Sequence, residues 1–125
     1  MGATYVQLTL VNMLTRHEAA IEALVDTGAS ELTVTPEVAT LLGFDPEEVS
    51  RTNVVLADGR RVAVPRLRPI EIRLGDRSCC ADVLVLGDQC LLGFIPLEAM
   101  DLVVDPKRQQ VIPNPEHPEG PCFRV

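Results

Sequence analysis

One carboxylate in this chain has neighbours suited to chemistry: Asp26, in the stretch EALVDTGASELTV, residues 22 to 34. An apolar segment runs directly into it, and Thr27, Gly28, Ala29 and Ser30 follow. A carboxylate at the end of a buried strand costs free energy unless something hydrogen-bonds it. The segment is therefore either a working site or a plain tight turn, in which the Asp side chain accepts from the backbone N–H two residues on. The acids at Asp45-Pro46, Asp76-Arg77 and Asp88-Gln89 lack both the apolar lead-in and the Thr-Gly that follows Asp26.

Other reactive side chains offer less. His17 and His117 have no partner at metal-ligand spacing and read as solvent-exposed. Cys79, Cys80, Cys90 and Cys122 include an adjacent pair but no C-x-x-C spacing, so neither a zinc site nor a thioredoxin-like motif is indicated. Cys79 and Cys80 on one strand would point to opposite faces and could not act together. The reading calls for no metal and no cofactor.

The elements that must position Asp26 are mostly strands. Residues 4 to 11, TYVQLTLV, alternate, with Val6, Leu8 and Leu10 on one face. HEAAIEALV returns as a second strand ending at the Asp-Thr-Gly. Thr35-Pro36-Glu37 supplies a hydroxyl N-cap, a first-turn proline and a first-turn acid, which predicts a short helix over 36–42 stopped by Gly43. NVVLA and RRVAV flank Asp58-Gly59, a strong hairpin signal because both positions tolerate positive φ. RPIEIRLG and DRSCCADVLVLG read as two further strands. Leu91-Leu92-Gly93 leads to a second short helix with Pro96 near its start, and DLVVDPKRQQVI forms a last hairpin around Asp105-Pro106. PNPEHPEGPCFRV holds four of the ten prolines and reads as an irregular or bound arm.

The bulk properties agree with one small sheet-rich domain. At 125 residues the chain suffices for a single core, and its 46% hydrophobic content with 3% aromatic makes that core one of Val, Leu, Ile and Ala. A formal net charge of −7 without long basic runs argues against nucleic-acid binding. No apolar run approaches the roughly 18 residues of a membrane span. Cytoplasmic location is the expectation.

The ordered set of an apolar strand into Asp26-Thr27-Gly28, a helix about ten residues on, a glycine-tipped hairpin and a late Leu91-Leu92-Gly93 before a helix resembles the retropepsin-like aspartic proteases. The resemblance spans about residues 5–112. It implies an all-β, closed acid-protease-like β-barrel with a flap hairpin and two short helices, the domain occupying 1–112 and the Pro-rich tail 113–125. Asp26 would be catalytic, with Thr27, Gly28 and Ala29 supporting its loop. The flap would cover about residues 53–64 with Ala57, Asp58, Gly59 and Arg60 at its tip, and Leu91, Leu92 and Gly93 would form the structural loop behind the site.

The chemistry requires two carboxylates so close that they cannot both ionise, one acting as general base on water while the other, protonated, hydrogen-bonds the scissile carbonyl. This chain carries one Asp-Thr-Gly, so a two-fold homodimer would have to supply the second. The expected function is aspartic endopeptidase action on an extended peptide or protein substrate. Thr27 would lie at the two-fold axis, bonding across to the partner's backbone. Ala29, where pepsin-like enzymes often carry a hydroxyl, cannot hydrogen-bond the carboxylate, so activity should extend towards neutral pH. Two features depart from the retroviral pattern: the charged flap tip, Asp58-Gly59-Arg60-Arg61, and the Pro-rich tail. The charged tip, together with the small size of the chain, supports the alternative of a catalytically weak or inactive dimeric peptide-binding or regulatory module; the tail bears on how the dimer joins its termini.

Overall fold

The computed structural model describes residues 2–125. Its elements run β1 (Tyr5–Asn12), β2 (Glu18–Val25), β3 (Leu32–Val34), α1 (Pro36–Leu41), β4 (Arg51–Val55), β5 (Arg61–Leu74), β6 (Arg77–Val85), β7 (Leu91–Leu92), α2 (Phe94–Ala99), β8 (Leu102–Asp105) and β9 (Gln110–Pro113). The main sheet has the order β1-β2-β7-β3-β6-β5-β4, and β1 also pairs with β5. Six strands thus close on themselves, and β4 extends from β5 as the outer arm of a hairpin. β8 and β9 form a separate two-stranded ribbon.

Alternation along the strands decides which face is buried. Leu8 and Leu10 of β1, Ala19, Ile21 and Ala23 of β2, Leu32 and Val34 of β3 and Ile70 and Ile72 of β5 all point into one apolar core. The intervening Gln7, Glu22 and Ala20 are exposed. Strand β1 meets β2 in antiparallel register from Tyr5 opposite Leu24 to Val11 opposite Glu18. Their connection is anchored by the buried Asn12, whose Nδ2 donates to Leu42 O at 2.9 Å while its Oδ1 accepts from Leu14 N at 3.0 Å. One polar side chain therefore ties this turn to the end of α1.

Helix α1 is capped as its sequence predicts. Thr35 Oγ1 accepts from Val38 N at 3.4 Å, Pro36 opens the helix, and Gly43 takes φ +83° just beyond Leu42.

The region after the Asp58-Gly59 turn differs from expectation. RRVAV and RPIEIRLG are not two strands but one, β5, whose 14 residues pair in turn with β4, β1 and β6. The strand runs through Pro65 and Pro69, although proline cannot donate to a ladder. Pro69 falls where the β5–β6 register shifts between Leu67 and Ile70, so its missing N–H interrupts no regular pairing there.

The tail is a bound arm along part of its length. Arg77, only 6% exposed, donates from Nη1 to Met100 O at 3.0 Å and Asp101 O at 2.8 Å, and from Nη2 to His117 O at 3.1 Å. Asp101 accepts from Asn114 Nδ2 at 3.0 Å and lies 2.7 Å from His117 Nδ1. His117 is therefore not the free exposed side chain that its sequence context suggested. The Asn114 amide, against burial that opposes it, and then His117 hold the Asp101 carboxyl below its ordinary value.

Candidate active site

The Asp26 loop is built from backbone hydrogen bonds on both sides. Asp26 N donates to Leu92 O at 2.9 Å, continuing the parallel pairing of β2 with β7, Leu24 opposite Leu91 and Val25 opposite Leu92. Further on, Gly93 N donates to Glu31 O at 3.0 Å, Phe94 N to Ala29 O at 3.0 Å and Ile95 N to Ser30 O at 2.9 Å. The start of α2 and the far limb of the Asp26 loop are thus stitched together. Gly93 is required by this approach: a Cβ there would lie 2.5 Å from Glu31 O and from the carbonyl carbon of Ser30. Both are backbone atoms that cannot swing aside.

The carboxylate itself is half-buried. Gly28 N donates to Asp26 Oδ1 at 3.0 Å, and a Cβ on Gly28 would sit 3.2 Å from that oxygen. That N–H bond is also the bond of an ordinary Asp turn, so it does not separate the two readings of the segment. What the surroundings add is a cleft. Asp26, Gly28, Ala29, Ser30, Glu31 and Thr33 form one wall of a cleft of about 560 Å³. Val54 to Ala57 of the β4–β5 hairpin supply another wall, and Leu84, Leu86 to Gln89, Leu91 and Phe94 complete it. The volume suits several side chains of an extended peptide.

Of the residues singled out from sequence, Asp26, Gly28, Ala29, Ala57 and Leu91 meet at this cleft. Leu92 and Gly93 lie buried behind it. Thr27 is exposed beside it, and Asp58, Gly59 and Arg60 sit at the hairpin tip outside the cleft lining. At that tip Gly59 has φ +86°, and Arg60 Nε meets Asp58 Oδ2 at 2.7 Å with both side chains more than half exposed. Arg60 with its backbone N–H and side chain draws the Asp58 carboxyl below its usual value. Arg60 and Asp58 thus pair with each other, while Arg61 beside them is exposed.

Sequence reasoning missed Glu31, Thr33 and Asp88 as cleft residues. A signal existed for one of them: Thr33 is the polar residue between the core side chains Leu32 and Val34, so alternation turns it away from the core. Asp88 lies in a loop, where no periodicity reports direction. Among the described residues, no group of three or more His, Cys, Asp or Glu side chains is placed to hold a metal ion.

A family model described as gag-polyprotein putative aspartyl protease matches residues 13–98, well over half of the chain. The chain belongs to this aspartyl protease family. Its fold is that of the retropepsin-like proteases. The crystal structure of a retropepsin-like aspartic protease from Rickettsia conorii superposes with a TM-score of 0.59 at 24% identity, covering 84% of this chain and 89% of that one. EIAV protease complexed with the inhibitor HBY-793 gives a TM-score of 0.60 at 18% identity, covering 78% and 86%. No curated protein matches the chain. The aspartyl protease match includes the whole Asp26 loop, the hairpin and Leu91 to Gly93.

Proposed function

We propose that the chain is an aspartic endopeptidase whose active site forms between two copies, each contributing Asp26. The observation that carries this reading is the placement of a half-buried Asp-Thr-Gly carboxylate, held by a backbone-stitched loop, on the wall of a peptide-sized cleft. A fixed carboxylate is what the reaction needs. With two such groups side by side, one stays protonated; the ionised one takes a proton from water, which attacks the peptide carbonyl, while the protonated one donates to the carbonyl oxygen.

Support for a second copy comes from the surface around the loop. Thr27 is exposed, and on α2 Phe94 and Ile95, bonded through their N–H groups to Ala29 and Ser30, leave large apolar side chains 39% and 41% exposed. Such side chains beside an incomplete site suit burial against an identical surface. The substrate would lie extended under the β4–β5 hairpin acting as a flap, its backbone pairing with strand edges and alternate side chains entering the cleft.

The exposed, charged flap tip favours the second reading, a dimeric module that binds peptides and turns over little. Incubating the protein with an unfolded protein substrate between roughly pH 4 and 7.5, beside an Asp26→Asn variant, separates the two. Cleavage by the parent alone supports the endopeptidase. Binding by both without cleavage supports the module.

A further inference from the structure

The arginines of this acidic chain are gathered in one region. Six of its eleven basic residues fall between 51 and 73, against two acids, Asp58 and Glu71. Four of the six have carboxylate partners: Arg60 pairs with Asp58, Arg66 and Arg68 with Asp82, and Arg73 with Glu71. Arg51 and Arg61 have none among the described residues, and the register of the β4–β5 hairpin puts these two on one face. Arg51 stands opposite Pro65, Asn53 opposite Ala63 and Val55 opposite Arg61, and residues directly opposite in an antiparallel pair point to the same side. Arg51, Asn53, Val55, Arg61 and Ala63 are all exposed, whereas Thr52, Val54, Val62 and Val64 of the other face are half-buried or buried. Val54 of that inner face lines the cleft, and Val55 reaches its rim. Arg51 Nη1 donates to Ala63 O at 3.2 Å, which lays its guanidinium across the outer face.

We propose that this outer face of the hairpin docks an acidic, extended segment of another protein. Arg51 and Arg61 are separated by four residue steps along the strand direction, about 13 Å. An extended segment would meet them with carboxylates at positions i and i+4, which point to one side of an extended chain. Each guanidinium can take a carboxylate through paired N–H donors, and neither has a counter-charge within the chain. The residue between the two acids would lie over Asn53 and Ala63, where a small or polar side chain fits. Nucleic acid is the poorer occupant, because two guanidiniums on a chain of net charge −7 offer no run of phosphate contacts. A segment held here is tethered on the back of the hairpin, beside the cleft and without filling it. The inference goes beyond the peptide cleft and does not depend on catalysis there.

The test uses a fluorescent peptide with two Glu residues four positions apart in a Thr- and Ser-rich frame, beside its Gln analogue. Binding to the whole Asp26→Asn chain is read by anisotropy, and the site by amide chemical shifts. At low ionic strength the Glu peptide should bind about fivefold more tightly than the Gln analogue, with the advantage shrinking as salt rises. Arg51→Gln/Arg61→Gln should abolish the advantage and leave the thermal midpoint unchanged. Arg68→Gln/Arg73→Gln, which removes the same charge from paired positions, should retain it. Shift changes should fall on residues 51–55 and 61–63. Equal binding of the two peptides, an advantage that survives in the Arg51/Arg61 variant or is lost equally in the Arg68/Arg73 variant, or shifts centred on residues 26–31 would overturn the docking face. Loss of the dimer in the Arg51/Arg61 variant would assign the face to a second copy, and tighter binding of a single-stranded DNA oligomer at the same residues would assign it to nucleic acid; either overturns the proposal. Failure of the parent chain to cleave any peptide overturns the endopeptidase and leaves this face standing.

Discussion

The two walls of the cleft are held in opposite ways. On the Asp26 side, Asp26, Gly93, Phe94 and Ile95 each donate a backbone hydrogen bond across the seam between the loop and the β7–α2 junction, and Gly93 leaves no room for even one extra carbon. On the hairpin side, β4 pairs only with β5, the tip is exposed, and a Cβ on Gly59 would meet nothing within 4 Å. A carboxylate that must meet its partner at a fixed distance belongs on the first kind of wall. A cover that must admit and release a peptide belongs on the second. The difference separates what the chain needs to fold from what it needs to move.

The comparison breaks most visibly at Gly93. Gly93→Val should destabilise the fold by about 3 kcal/mol or more, because the added carbons meet backbone rather than flexible side chains; a urea unfolding midpoint measures it. Arg77→Met provides a control remote from the cleft: three carbonyls lose their donor, at about 2 to 3 kcal/mol, with the tail released to limited proteolysis and the cleft unaltered. Gly59→Ala, at φ +86° in open space, should cost about 1 kcal/mol and confine its effect to the hairpin, seen as faster amide exchange in residues 54–62 alone.

Two smaller effects are read on the pH axis. Asp101 has its carboxyl lowered in the folded state, first by Asn114, so its contribution is fully present above the ordinary carboxylate value of 3.8 and is lost as pH falls through the lower folded value. The tail should accordingly loosen below about pH 3.8 and stay docked at neutral pH, checked by proteolytic cleavage within 114–125. Ala29→Ser places a hydroxyl beside the Asp26 loop and should move the optimum of peptide cleavage towards acid, with little change in stability. An unchanged pH–rate profile would remove Ala29 from the account.

Much of this was legible in the sequence where a local rule decides the outcome. The Thr35-Pro36-Glu37 start and Gly43 stop of α1, the Asp58-Gly59 turn and the alternation of β1 and β2 all depend on neighbours within a few residues. The ordered motifs around Asp26 carried the family as well. What stayed hidden depends on partners distant in the chain. β5 runs through two prolines because β1, β4 and β6 all pair with it, and no window around Pro65 or Pro69 contains those strands. Gly93 looked like a helix-entry glycine, whereas its need arises from the carbonyls of Ser30 and Glu31, some sixty residues earlier. His117 read as a surface residue, and nothing local marked Arg77, until the β8–β9 ribbon and the tail brought Asp101 and a set of carbonyls to them.

The central claim is that one active site draws Asp26 from each of two chains, and mixing tests it most directly. Parent and Asp26→Asn chains are unfolded together, refolded, and assayed for peptide cleavage at constant parent concentration. If the site is shared, an equal amount of the variant should reduce activity to about half, and a large excess should abolish it, because mixed pairs carry a single carboxylate. Activity that depends only on the amount of parent chain, however much variant is added, would contradict the shared site.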